Sequence, residues 1–190
     1  MHPPKPKPAL ELPLPAVLPD VATLQALQLD VLSHYDEHAL RLLRYARSFG
    51  LTEDGAEDVV QDVFVALFRH LALGRPRHNL AGWLFKVARN LALKQRRRTG
   101  GAPADLVADF LLERLVDPAD TPEERMAFAQ RTHRLRAVVR ALAPRDRHCV
   151  YLRSEGLSYR DIATALGMSL GGVAKALARA LGRLARADGR

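Results

Sequence analysis

Residues 156–179 read GLSYRDIATALGMSLGGVAKALAR, and this stretch decides the fold class. Ser158 and Asp161 have the spacing of a capping box, in which each side chain satisfies an amide left free at a helix start. They predict a helix over about 159–166, with Ile162 and Leu166 on one face and the small Ala163 where another helix can cross. Gly167 supplies the turn, because glycine takes positive φ without steric cost. Ser169 then caps a second helix that turns Val173 and Leu177 inward. A short helix, a tight glycine turn and a capped second helix form a helix-turn-helix, whose second helix lies in the DNA major groove. An ordinary helical hairpin is the alternative reading of the same spacing.

Outward from this motif the chain reads as helical throughout. Hydrophobic residues make up 48 % of the 190, aromatics only 6 %, and Leu, Ala and Arg, all strong helix formers, dominate over β-branched runs. Leu24, Leu27, Val31, Tyr35, Leu42 and Tyr45 recur at helical intervals up to a stop at Gly50. Asp54 and Glu57 have capping-box spacing and open a helix that runs to about Leu73. Asn79 is placed to cap a third helix, Leu80 to about Arg98. Thr121-Pro122-Glu123-Glu124 is a further helix start, with a cap, proline in the first turn and a capping-box acid.

Charge is partitioned along the chain. The formal net charge is +8. Residues 104–124 hold seven acids against Arg114 alone, with a short helical turn expected around Phe110 to Leu115. Residues 125–190 hold fourteen Lys or Arg against four acids. This balance suits a polyanionic partner, nucleic acid first and an anionic membrane surface second, although an arginine-rich composition can also be no more than a solvated surface. Prolines at 3, 4, 6, 8, 13, 15 and 19 exclude helix and central strand from the N-terminus, which reads as a disordered tail. No signal segment is expected, because those prolines stand where its apolar run would sit. No run approaches the ~20 apolar residues that span a bilayer, so no membrane insertion is expected. Cys149 is the single cysteine, which fits a reducing compartment and a small core side chain.

Two earlier stretches narrow the function. In 57–64, EDVVQDVF, the residues Val59, Val60, Val63 and Phe64 form an apolar side, while Asp58, Gln61 and Asp62 fall at i, i+3 and i+4 on a polar face. That face suits docking on a basic helical surface; it is equally consistent with plain solvation. In 80–98, LAGWLFKVARNLALKQRRR, the outer positions are cationic with Asn90 among them. Cations hold phosphates and an asparagine can pair with a base edge. Trp83 fits a helical core role better than base stacking. His34 and His38 share a helix face without an evident third ligand, so no metal is expected. Nor does the chain hold a glycine-rich phosphate loop, and no cofactor is expected.

Taken in order, the acidic-Gln-acidic-x-Phe helix, the Trp-Leu-Phe-Lys-Val-Ala-Arg-Asn helix, the acidic linker and Gly156–Ala163 resemble the extracytoplasmic-function group of the sigma-70 family. The resemblance spans roughly residues 30–187 and implies an all-α chain of two small helical domains. It implies a tail over 1–22, a region 2-like domain over 23–98, an acidic linker over 99–121 and a region 4-like helix-turn-helix domain over 122–187. By that resemblance Asp58, Gln61, Asp62 and Phe64 would bind the β′ clamp helices of core RNA polymerase. Lys86, Arg89, Asn90, Lys94 and Arg97 would bind and help melt the −10 element of promoter DNA. Arg160, Ser169, Lys175 and Arg179 would serve the −35 element, with a β flap contact beside them and the linker threading toward the RNA exit path. The family implies a cytoplasmic initiation factor without catalytic chemistry, with an anti-sigma factor as a further partner. A stand-alone helix-turn-helix regulator and a degenerate sigma-like interaction protein are the rival readings. The chain departs from the family at Gly172, Ala174, Ala176 and Ala178, where polar side chains are common. Adjacent glycines also weaken the start of the recognition helix by roughly 1 kcal/mol each.

Overall fold

The computed structural model describes residues 20–100, 106–113 and 121–188. The proline-rich tail and most of the acidic stretch between 99 and 121 lie outside the described residues. Eight helices and no strand occur among those described: α1 (Val21–Arg47), α2 (Glu53–Ala72), α3 (Leu80–Arg98), α4 (Val107–Leu112), α5 (Pro122–Arg140), α6 (Pro144–Ser154), α7 (Tyr159–Leu166) and α8 (Leu170–Asp188). The all-α expectation holds, as do both C-terminal capping boxes, Thr121 with Glu124 and Ser158 with Asp161. Gly167 closes α7 at φ 63°.

Two of the local expectations need correction. α2 begins two residues early, because Thr52 rather than Asp54 caps it, its hydroxyl accepting from the Gly55 amide at 3.2 Å. Glu53 and Asp54 instead sit in the first turn, where carboxylates complement the positive end of the helix. Asn79 does stand at the start of α3, but at φ 61° and without capping it. Its side-chain amide donates to Thr164 Oγ1 at 2.6 Å and to the Arg160 carbonyl at 3.4 Å, both far along the chain.

α1, α2 and α3 pack into one bundle and α5 to α8 into a second. The linker is only partly a linker. α4 buries Val107 and Leu112 against the second bundle, the Leu106 amide donates to the Ser48 carbonyl at 2.9 Å, and Asp109 pairs with Arg136 and Arg140.

The bundles then share one core. Tyr45 of α1 is wholly buried and touches the rings of Phe49, Phe85, Tyr151 and His148 at centroid distances from 5.1 to 5.9 Å. Beside this cluster the Arg41 guanidinium lies 5.6 Å above Phe85, donates to the Glu155 carbonyl, and sits 3.7 Å from the buried Glu155 carboxylate. A buried carboxylate needs such a cation, because its desolvation otherwise costs several kcal/mol. Most telling is Gly82, in the middle of α3. A Cβ built there would lie 2.8 Å from the Cα and carbonyl oxygen of Asp161. A glycine inside a helix costs about 1 kcal/mol relative to alanine, and here it lets α3 and α7 meet backbone to backbone.

Two outcomes follow from this packing. Gly82→Ala should push α7 from α3, at a cost of about 1–3 kcal/mol typical of overpacking. X-ray scattering should then show a larger radius of gyration while far-ultraviolet circular dichroism keeps its helical signal; an unchanged radius would contradict the packed arrangement. Cys149 is buried, and burial with the nearby Asp146 carboxylate pushes its thiol up to about 11. Since the thiolate is the reactive form, the folded chain should label slowly with a thiol reagent at pH 8 and completely in denaturant.

Candidate functional site

The polar face of α2 stands as the periodicity requires. Val59 and Val63 point into the core, while Asp58, Gln61 and Asp62 are exposed. Phe64 does not share that exposure. It is 7 % exposed, with its ring tilted against Tyr35 at 4.9 Å. It forms part of the floor of a groove of about 1110 Å³ between α1 and α2, with Asp54, Glu57 and Asp58 along its rim. Leu40, Tyr35 and Val65 keep large apolar surfaces exposed there. The periodicity assigns Tyr35 to the core stripe of α1, and the structure puts it at the groove instead.

α3 carries its cations outward. Lys86, Asn90, Lys94 and Arg97 are all exposed, and their spacing of four, four and three places them on one stripe. Arg89 is half-buried, with its Nε enclosed, and stands off that stripe. Trp83 is half-buried against the His70 ring at 4.6 Å, which agrees with a packing role. The opposite side of the helix holds Leu84, Phe85 and Ala88, all buried. An acidic helix face and a basic helix face thus belong to one packed bundle.

In the helix-turn-helix, Val173 and Leu177 face inward as expected. Ala176 is wholly buried as well, so it belongs to the inner row of α8 with Val173 and Leu177 rather than to its outer positions. Ser169 uses its hydroxyl to accept from the Gly172 amide at 3.1 Å. Arg179 is held by both carboxylate oxygens of Asp146, at 2.9 and 3.2 Å, and the hydrogen bond to that carboxylate raises its pKa. Both side chains are therefore engaged within the domain. Arg160 and Lys175 remain exposed. The Asp146 partner was not evident from sequence, because it lies 33 residues away on α6.

His34 and His38 do stack, with centroids 5.8 Å apart. Glu37, beside His38 in the chain, brings its carboxylate within 4.8 Å of both imidazoles. The Arg41 guanidinium nevertheless faces His38 Nδ1 at 3.2 Å, and burial lowers the His38 pKa. Arginine can only donate, so Nδ1 accepts and the imidazole is neutral with its proton on Nε2. That tautomer, beside a fixed positive charge, favours packing over metal ligation. Among the described residues no helix is long and apolar enough to cross a membrane.

Comparisons with known proteins converge on one family. The model for sigma-70 region 2 matches residues 34–101, and that for sigma-70 region 4 matches residues 132–184. The extracytoplasmic-function RNA polymerase sigma factor SigE of Mycolicibacterium smegmatis is 33 % identical over 137 residues, covering 71 % of this chain and 52 % of its own length. The chain thus spans about half of that relative. The corresponding factor SigL of Mycobacterium tuberculosis is 35 % identical over 146 residues, covering 72 % of this chain and 76 % of its own. Among solved structures, CnrH in complex with the cytosolic domain of CnrY superposes with a TM-score of 0.54 at 24 % identity, covering 87 % of this chain and 91 % of that one. That likeness concerns the fold.

Proposed function

The chain belongs to the extracytoplasmic-function group of the sigma-70 family, and from that premise we propose that it docks core RNA polymerase through α2 and opens promoter DNA on α3. The observation that carries the reading is the pairing, within one bundle, of the exposed Asp58–Gln61–Asp62 face with the exposed Lys86–Asn90–Lys94–Arg97 stripe. A negative surface complements a basic enzyme helix pair such as the β′ clamp helices, and a positive one tracks the phosphates of a melted strand. With both on one rigid unit, binding polymerase aims the −10 stripe at the duplex. Units 23–98, 99–121 and 122–187 are the proposed divisions of labour. The initiation step needs no catalytic group from this chain, and the factor acts where promoter DNA lies, in the cytoplasm.

The helix-turn-helix carries the second contact, to the −35 element and the β flap, through exposed Arg160 and Lys175. Ser169 and Arg179 contribute by shaping α8 rather than by reaching bases. Elements near −35 and −10 lie about 85 Å apart along B-form DNA at 3.4 Å per step. While α7 rests on α3 at Gly82, the two domains cannot reach both. Engagement of promoter DNA therefore requires that contact to open. The solved relative CnrH is bound to the cytosolic domain of CnrY, and an anti-sigma partner is proposed here in the same sense. A degenerate, DNA-silent homologue is the second reading, favoured by one observation: Ala174 and Ala178 leave the outer face of α8 almost bare of hydrogen-bonding groups.

Run-off transcription with core polymerase on genomic DNA, with and without the chain, decides between these readings; promoter-specific transcripts are expected only with it. Gln61→Ala with Asp62→Ala should weaken core affinity about tenfold, near 1.4 kcal/mol, and leave the helical signal intact. Lys94→Ala with Arg97→Ala should flatten the salt dependence of single-strand binding by about 1.4 in the log–log slope, at ~0.7 per phosphate lost. An unaltered slope would remove the stripe from the DNA interface.

A further inference from the structure

The groove between α1 and α2 is an open apolar trough with an acidic end. Val31, Tyr35 and Phe68 line one stretch, Leu43 and Val60 another, and Asp54, Glu57 and Asp58 rim it where α2 begins. Exposed apolar surface of this extent marks a binding site rather than ordinary surface. One segment of this chain has the matching pattern. Residues 1–19 begin with the basic residues His2, Lys5 and Lys7 and continue with Leu10, Leu12, Leu14, Val17 and Leu18 between prolines. The only acid among them is Glu11.

We propose that this N-terminal segment lies along the α1–α2 groove, running back beside α1, and competes there with core polymerase. The competition rests on the polymerase-docking role proposed above for α2; the docking of the segment itself does not.

Reach and register agree with it. From Val21 to Leu43, α1 rises about 33 Å at 1.5 Å per residue. Proline-rich chain, with helix forbidden, covers about 3.1 Å per residue. Counting back from Asp20, Leu10 therefore comes level with about Arg41, and Leu14, Leu12 and Leu10 fall along the apolar trough between Val31 and Leu43. Lys7 and Lys5 arrive at the first turns of α2, beside Glu53, Asp54 and Glu57, all exposed. Basic meets acidic and apolar meets apolar in the one direction that the covalent connection allows. Two further factors favour this occupant over a separate partner. Prolines reduce the ordering entropy that docking costs, and attachment at Asp20 gives an effective concentration on the order of millimolar.

The test uses the full-length chain. A photo-cross-linking residue replaces Leu12, the protein is irradiated without polymerase, and cross-links are mapped by mass spectrometry. Intramolecular cross-links to residues 31–43 and 54–69 are expected, and Lys5→Glu with Lys7→Glu should remove most of them. Cross-links elsewhere, none at all, or a dimer band from a second copy would overturn the docking. In parallel, Leu12→Asp with Leu14→Asp should tighten core-polymerase binding. If the groove is occupied about nine-tenths of the time, the gain is about tenfold. Unchanged or weaker binding, with the groove cross-links present, would overturn the competition. The two premises separate cleanly: should the Gln61→Ala, Asp62→Ala variant keep its cross-links and bind core enzyme like the parent, the polymerase face is misplaced while the segment still docks.

Discussion

The structure depends on the meeting of α3 and α7 at Gly82. Helices normally keep their axes 8–10 Å apart, because side chains stand between them. Here one position lacks a side chain, and the Asp161 backbone occupies the vacated space. Everything around the contact reinforces it. Asn79 reaches across to Thr164, Arg41 covers Glu155, and the Tyr45 ring joins Phe85 of the first bundle to Tyr151 of the second. The interface is thus part core and part polar. A mainly apolar junction would resist opening more than one that includes a buried carboxylate, whose desolvation cost separation would relieve.

Local structure was legible in the sequence wherever the signal and its partner lie within one turn. Ser158 with Asp161, Thr121 with Glu124, and Gly167 all act over four residues or fewer, and each appears where the spacing puts it. Thr52 escaped because two carboxylates just beyond it mimic a cap while in fact answering the helix dipole. Asn79, Gly82, Arg41 and Arg179 were misread or passed over for a different reason. Their partners are between 33 and 114 residues away, and no periodicity encodes such a pairing. For the candidate site, the exposure of Asp58, Gln61, Asp62, Lys86, Asn90, Lys94 and Arg97 was readable from helical period alone. The inward tilt of Phe64 was readable too, since it sits in the apolar row with Val60; the groove that it floors requires α1, and is a tertiary fact.

Electrostatics gives the molecule its direction. A net charge of +8 favours polyanions in general without selecting a site, because exposed charges are screened within about 10 Å at ordinary salt. Selection comes from placement. The acids of α2 are the exception in a basic protein, concentrated on one helix face, and they would repel phosphates from that surface. The cationic stripe on α3 is free of ion-pair partners among the described residues. By contrast Arg131, Arg136, Arg140 and Arg179 in the second bundle are all paired with carboxylates. The richer positive charge of the C-terminal half is therefore partly consumed internally, whereas the smaller stripe on α3 is left unpaired among the described residues.

This distribution also bears on how α8 works. A recognition helix reads bases by presenting hydrogen-bonding side chains to the major groove. Here the outer positions offer Lys175 between alanines, preceded by two glycines, and the nearest arginine is clamped by Asp146. Alanine and glycine do not discriminate bases through hydrogen bonds, but they let a helix backbone approach the groove floor closely, where thymine methyls and groove shape can be sensed. The Asp146–Arg179 clamp then serves a purpose beyond stability: it ties α8 to α6, so that a helix with few specific contacts is at least held at a fixed angle. Under the proposed function, specificity would then come largely from the other domain, where Asn90 stands exposed among the cations of α3.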